Sequence, residues 1–176
     1  MKADTKHIHD EATRKRIGQY FTKQEIATLM VDIAKIPINS VSIDPMCGTG
    51  NMLTALIDRG YDRDNIYGVD IDSKAVDICV LRNGFKNIKQ GDAFCYKSYD
   101  NKLINGVDFV ITNPPYIRYQ NINENSPVGI DLPDSNKVRI ELLKTVGRFK
   151  HLTKADKDIL IHLIKSYSGL SDMAVP

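Results

Sequence analysis

Long apolar runs are missing from this chain of 176 residues, which contains no stretch of about 18 consecutive apolar residues. The sequence therefore predicts no membrane insertion. The first 16 residues, MKADTKHIHDEATRKR, also lack the apolar segment of a secretory signal. We expect a cytoplasmic protein.

Cysteine is scarce, and Cys47, Cys79 and Cys95 lie far apart without C-x-x-C spacing. The four histidines do not supply the missing ligands of a zinc site. The sequence therefore predicts neither structural zinc nor a disulfide framework, and we assign no metal ligands.

The net charge is small, +2 at pH 7, and does not by itself indicate a nucleic-acid-binding protein. Its distribution is uneven, because residues 137–154 contain six Lys and Arg residues against one acid, Glu141. This strip fits either a phosphate-facing surface or a solvated helix face, and the second case is the more frequent one.

What the sequence does contain is an apolar fraction of 42%, enough for a buried core, arranged as alternating strand and helix patterns. Residues 1–16 are polar and predict a flexible or helical lead-in, and residues 17–176 predict one domain. The predicted strands are SVSID, NIYGVD, IKQGDAF and VDFVITNPPY. A long helix is predicted within GQYFTKQEIATLMVDIAKI before the first strand, with further helices between the first three strands and two more near the end. Alternation at this spacing predicts an α/β fold, a mostly parallel sheet with helices on both faces.

Several residues are predicted to begin or end these helices. Thr22 and Glu25 form a T-x-x-E capping box ahead of the first long helix, and Thr153 is placed to cap the last one. Asp72 is placed to cap the helix that Gly84 ends.

Polar residues end each predicted strand: Asp44, Asp70, Asp92 and Asn113. Ligands of parallel sheets bind beyond the carboxyl ends of the strands, so these residues should meet at one rim. The turn DPMCGTG after the first strand matches neither G-x-G-x-x-G nor the P-loop, so phosphate binding is not indicated. Together with an acid at the end of the following strand, it favours a cofactor that contains adenosine.

The tetrapeptide NPPY, residues 113–116, points to chemistry on a planar amine. Two prolines remove backbone donors and stiffen the chain, while Asn113 adds an acceptor and Tyr116 an aromatic face. Such a set can accept the N–H protons of an amine while the ring stacks on the base that carries it.

These motifs, in this order, resemble the adenine-N6 DNA methyltransferases of the N-P-P-Y kind that use S-adenosylmethionine, as found in restriction-modification systems. The matching segments, from about Gly18 to Val175, are GQYFT, DPMCGTG, VDID, GDAF, NPPYIRYQ and LSDMAV. Two residues depart from the family pattern: Lys23 stands where proline is common, and Met46 where a small residue is common.

The resemblance implies a Rossmann-like class I methyltransferase fold and the cofactor S-adenosyl-L-methionine. It assigns cofactor binding to Tyr20, Thr22, Asp44, Pro45, Gly48, Gly50, Asp70, Ile71, Asp92, Phe94 and Asn113, and catalysis to Asn113, Pro114, Pro115 and Tyr116. Within that assignment Thr22 reaches the carboxylate end of the cofactor and Asp70 the ribose hydroxyls.

Because the chain ends after a predicted fifth strand in the segment LSDMAV, the resemblance also implies a sheet that is incomplete at its C-terminus and a missing target-recognition domain. The expected partner is double-stranded DNA, and an exposed sheet edge predicts a homo-oligomer. Three alternatives stay open: a protein-glutamine methyltransferase, an RNA guanine-N2 methyltransferase, and an inert cofactor-binding fragment.

Overall fold

The computed structural model describes residues 8–99, 103, 106–116 and 129–166. The helices and strands in these residues are α1 Glu11–Arg16, α2 Gln24–Ala34, β1 Ser42–Asp44, α3 Asn51–Asp58, β2 Ile66–Asp70, α4 Ser73–Asn83, β3 Asn87–Gln90, β4 Phe109–Val110, α5 Ser135–Arg148 and α6 Lys154–Ser166. Among the described residues, no helix is long and apolar enough to cross a membrane.

The four strands form one parallel sheet in the order β3-β2-β1-β4. Helix α3 connects β1 to β2 and helix α4 connects β2 to β3, so each connection is a βαβ crossover. This arrangement confirms the predicted α/β, Rossmann-like fold. The predicted fifth strand, within residues 170–175, lies outside the described residues.

The core forms where α3 and α4 pack on the sheet. Leu53 and Leu56 of α3 are fully buried beside Ile66 of β2 and Cys79 of α4. Burying a leucine side chain of this kind contributes about 1.5–3 kcal/mol, so α3 is held mainly by its apolar face. The strand ends and their turns are thereby fixed in position.

Most of the predicted helix boundaries are confirmed. The Asp72 carboxylate accepts a hydrogen bond from the backbone N–H of Lys74, and Gly84 ends α4 with a φ of +63°. The Thr153 hydroxyl accepts from the N–H of Asp156 at 3.2 Å.

The capping box predicted from Thr22 and Glu25 is wrong. Helix α2 begins one residue later than that box requires, with Lys23 as its N-cap and no side-chain hydrogen bond at the cap. The Thr22 hydroxyl accepts a hydrogen bond from Asn113 instead. A tertiary contact has replaced the local one, which a pattern confined to four residues cannot reveal.

A buried polar cluster joins the segment before α2 to Asp72, in the turn after β2. The His9 Nε2 atom lies 2.7 Å from Asp72 Oδ2, and the two side chains are only 9% and 2% exposed. Gln19 Nε2 donates to the same Asp72 oxygen at 2.9 Å. This cluster holds the segment that follows α1 across the carboxyl ends of the strands.

Candidate cofactor and catalytic site

A cavity opens at the carboxyl ends of the strands, with about 920 Å³ of empty space that includes the open solvent at its mouth. It brings together most of the residues that the sequence assigns to a site. The predicted residues that line it are Tyr20, Thr22, Asp44, Pro45, Gly48, Asp70, Ile71, Asp92, Phe94, Asn113 and Pro115. Gly50, Pro114 and Tyr116 are not among its lining residues.

The glycine turn after β1 is held by two carboxylates. Asp70 Oδ2 accepts from the N–H of Gly48 at 2.7 Å, and Asp44 Oδ1 accepts from the N–H of Met46 at 3.0 Å. Asp70 Oδ1 also accepts from the N–H of Asp72 at 2.9 Å. Because a carboxylate offers about four acceptor positions, Asp70 retains capacity for the hydroxyls of a ligand.

The two glycines of this turn have different surroundings. Gly48 lines the cavity, and a Cβ atom there would lie 3.2 Å from the Phe21 ring. Gly50 lies behind the wall as the N-cap of α3, with a φ of +83°, and a Cβ atom there would lie 2.5 Å from Cys79 Sγ. Gly50 therefore serves the backbone turn and the packing of α4, and its contact with a cofactor stays a prediction.

Several residues that line the cavity carry carboxyl groups, of which Asp44 is buried and Asp70 and Asp92 are half-buried. Asp44 is only 1% exposed, and its burial raises the pKa to about 7. Burial also raises the pKa of Asp70 and of Asp92. Desolvated carboxylates of this kind are stabilised by a nearby positive charge, so the site favours a cationic ligand.

The far wall combines an acid with apolar surface. Asp92 Oδ1 accepts from the N–H of Phe94 at 2.9 Å, which holds this acid at the turn after β3. Ile71 and Phe94 line the cavity beside it. A planar ring with an amino group fits between such apolar walls and an acceptor.

The N-P-P-Y tetrapeptide reaches the cavity through Asn113. Its Nδ2 atom donates to Thr22 Oγ1 at 3.1 Å, and its Oδ1 atom accepts from the Tyr116 hydroxyl at 3.3 Å. The Tyr116 side chain is 69% exposed, and its ring stands nearly edge-on to Tyr20 with 6.1 Å between centroids. Pro115 lines the cavity, whereas Pro114 is exposed outside it. Residues 117–120, which complete the matching segment, lie outside the described residues.

Other residues that line the cavity were not predicted from the sequence. Leu132 lines the cavity and, with Ile130, packs against Ile17 and Ile71. Ile130 and Leu132 lie in the stretch IRYQNINENSPVGIDLPDSN, residues 117–136, which has no apolar periodicity, so no local signal places them. Asn51 is a different case, because its position directly after the glycine turn offers a usable signal.

Cys47 also lines the cavity, but its thiol is unsuited to nucleophilic attack. A hydrogen bond with Cys79, together with burial, raises its pKa. The reactive thiolate form is therefore disfavoured. In the part of the chain that the structure covers, no group of three or more His, Cys, Asp or Glu side chains could hold a metal ion.

The basic strip of residues 137–154 is partly engaged within the chain. Lys144 Nζ lies 2.6 Å from Glu141 Oε1, and Lys137 Nζ lies 3.5 Å from Asp131 Oδ1. The Arg148 guanidinium lies 3.2 Å from the centroid of the Tyr96 ring. These contacts engage three of the six basic residues, and Arg139 also interacts within the chain, so the strip alone is a weak indication of a phosphate-facing surface.

The residues of the cavity fit S-adenosyl-L-methionine by their chemistry. This cofactor carries positive charges on its sulfonium and ammonium groups, which suit the buried carboxyls. Its ribose hydroxyls suit the remaining acceptor capacity of Asp70, and its adenine suits the space between Ile71 and Phe94.

The chain is similar to known methyltransferases over part of their length. It is 34% identical over 113 residues to the type II methyltransferase M.VspI of Vibrio sp. (strain 343), covering 60% of this chain and 27% of that protein. It is 31% identical over 100 residues to the tRNA (guanine(10)-N2)-dimethyltransferase of Methanocaldococcus jannaschii, covering 52% of this chain and 28% of that protein. The chain thus spans about a quarter of these curated relatives.

A solved modification subunit of a putative type I restriction enzyme from Vibrio vulnificus YJ016 superimposes with a TM-score of 0.46 and 19% identity, over 74% of this chain and 30% of that one. A match to a protein family covers more of this chain than the 60% and 52% covered by the two relatives. Residues 8–143 match the family described as N-6 DNA Methylase, which is well over half of the chain. With the parallel sheet, the glycine turn and the N-P-P-Y motif at one rim, the chain belongs to the N-6 DNA methylase family.

Proposed function

We propose that this chain transfers a methyl group from S-adenosyl-L-methionine to the N6 amine of an adenine in DNA, as part of a restriction-modification system. One observation carries the proposal: Asn113 opens onto the same cavity as Gly48 and Asp70. An acceptor for a planar amine and a site suited to an adenosine cofactor therefore share one space.

The residues act mainly by holding the amine. Bound S-adenosyl-L-methionine supplies an electrophilic methyl group. The exocyclic nitrogen of adenine is a weak nucleophile, because its lone pair is delocalised into the ring. We assign Asn113 Oδ1 and the backbone carbonyl of Pro114 to accept hydrogen bonds from its two N–H groups. These bonds favour a pyramidal nitrogen as positive charge develops on it, which stabilises the transition state.

Tyr116 supplies the aromatic face for a base that has left the double helix. Its ring is exposed beside Tyr20, so it is accessible to an incoming base. Its hydroxyl donates a hydrogen bond to Asn113 Oδ1 at 3.3 Å. This bond is long, so an amine of the substrate can replace it. Base flipping is required because the duplex hides the N6 amine.

We assign the choice of a particular DNA sequence, as distinct from methyl transfer to adenine, to parts beyond those described. The relatives are much longer than this chain, which supports a recognition domain or partner subunit outside it. Strand β4 lies at an edge of the described sheet, with Val110 53% exposed. This exposed edge supports pairing with either a further strand or a second copy of the chain. A DNA substrate also fits the cytoplasmic location predicted from the sequence.

RNA guanine-N2 methylation is the second candidate, and the similarity to a tRNA (guanine(10)-N2)-dimethyltransferase favours it. Guanine N2 is also an aromatic amine, so Asn113 and Tyr116 would hold it in the same way. A glutamine side chain presents a planar amide as well, but no ring for Tyr116 to stack on.

Transfer of labelled methyl groups to duplex DNA, tRNA and a glutamine-containing peptide separates the candidates. We expect label in DNA, recovered as N6-methyladenine after digestion. Label in tRNA guanine alone would contradict the proposal and support the second candidate. Binding of the cofactor without transfer to any of the three substrates would contradict catalysis by this chain and indicate a cofactor-binding fragment.

A further inference from the structure

Three residues from separate segments are joined by hydrogen bonds at the cavity: Thr22, Asn51 and Asn113. Thr22 lies in the segment before α2, Asn51 is the first residue of α3, and Asn113 follows β4. Asn51 Nδ2 donates to the backbone carbonyl of Thr22 at 2.7 Å. Asn113 Nδ2 donates to the Thr22 hydroxyl at 3.1 Å. Thr22 is thus held by the glycine-turn helix on one side and holds Asn113 on the other.

This contact matters because a carboxamide has two nearly equal orientations. Turning it by half a circle exchanges Oδ1 and Nδ2 with little change in shape. Only one orientation presents an acceptor to an amine. In the structure the carboxamide has that orientation: the Thr22 hydroxyl accepts from Nδ2 and the Tyr116 hydroxyl donates to Oδ1, so both contacts hold the group in place.

We propose that Thr22 is a positioning residue that fixes the carboxamide of Asn113, and that Asn51 fixes Thr22 in turn. This inference rests on the proposed function, because it concerns how the acceptor for the amine is oriented. It also differs from the role implied for Thr22 by the family resemblance, a contact with the carboxylate end of the cofactor. The two roles make different predictions for one substitution.

The test uses Thr22→Val, which keeps the shape of the side chain and removes the hydroxyl, and Thr22→Ser, which restores the hydroxyl. Thr145→Val is the matched control, since its half-buried hydroxyl bonds the Glu141 carbonyl on α5, away from the cavity. Measured on the whole chain with S-adenosyl-L-methionine and duplex DNA, Thr22→Val should lower kcat by about tenfold. The cofactor Kd from calorimetry should change by less than about threefold, and Thr22→Ser should recover most of kcat.

A nuclear magnetic resonance measurement tests the contact without catalysis. The side-chain amide signal of Asn113, identified by its loss in Asn113→Ala, should move in Thr22→Val, return in Thr22→Ser and stay in place in Thr145→Val. An Asn113 signal that is the same in Thr22→Val as in the unsubstituted chain would overturn the inference. So would a Thr22→Val variant with weaker cofactor binding and unchanged kcat, which is the result that the carboxylate role predicts.

The two proposals fail in different ways. If the unsubstituted chain transfers no methyl group to DNA while the Asn113 signal responds to Thr22 as described, the proposed substrate is wrong and the positioning contact stands. If transfer to DNA is found and the signal does not respond, the positioning role is wrong and the function stands.

Discussion

Replacing Asp44 with asparagine should change how the stability of this protein depends on pH. Asp44 is 1% exposed at the end of β1, and its burial raises the pKa to about 7 from the value near 3.9 of an exposed aspartate. A carboxyl group whose pKa is raised on folding binds its proton more tightly in the folded state. Its contribution to stability is therefore complete at low pH and is lost as the pH rises to about 7.

The size of the effect follows from the shift. A rise of about three pKa units corresponds to about 4 kcal/mol, reached only above the raised pKa, where the folded protein must hold a buried negative charge. Near pH 4 this destabilisation of the folded protein by Asp44 is below about 1 kcal/mol. An asparagine has no such cost, and its side-chain oxygen can still accept from the N–H of Met46, as Asp44 Oδ1 does at 3.0 Å.

Urea unfolding followed by circular dichroism between pH 4 and pH 8 measures this difference. Relative to the unsubstituted chain, Asp44→Asn should gain up to about 4 kcal/mol of unfolding free energy between those limits. Asp70 and Asp92, whose pKa values are also raised, are present in both proteins, so their contributions largely cancel. A difference that stays constant across this pH range would refute the assignment of a buried, protonated Asp44.

Three further changes test other parts of the site. Gly50→Ala combines a left-handed φ with a collision against Cys79 Sγ, so it should lower the unfolding free energy by about 2–4 kcal/mol. Gly147→Ala in α5, where an added Cβ atom meets nothing, should not destabilise the protein. Equal melting temperatures for the two variants would count against this packing of Gly50. Tyr116→Phe keeps the ring and should retain methyl transfer within about threefold, but Tyr116→Ala should lose about tenfold or more, and equal losses would argue against stacking. Asp70→Ala should weaken cofactor binding by about tenfold, and an unchanged Kd from calorimetry would remove Asp70 from the site.

The sequence predicted the rim of the site because strand ends are readable from pattern. Asp44, Asp70 and Asn113 each follow an apolar run, and Asp92 follows the more polar strand end IKQG. The carboxyl ends of parallel strands converge wherever the sheet is placed. The cavity is lined by all four. Asp72 at the start of α4 was predictable for a similar reason, since a helix cap depends on neighbouring residues.

The contacts that escaped prediction join residues far apart in the chain. Thr22 was assigned to a local cap, but its hydroxyl bonds Asn113, 91 residues away. His9 pairs with Asp72 across 63 residues, and no pattern in the polar N-terminal segment indicates it. The family resemblance assigns Gly50 to the cofactor, but it gives no sign of the Cys79 side chain that a Cβ atom at Gly50 would meet.

The central claim is that Asn113 holds the amine that receives the methyl group. The most direct measurement compares Asn113→Ala with the unsubstituted chain, using the cofactor Kd from calorimetry and single-turnover transfer of labelled methyl groups to DNA. We predict a Kd within about threefold and a transfer rate reduced by about 100-fold or more. Transfer by Asn113→Ala at the rate of the unsubstituted chain would contradict the claim.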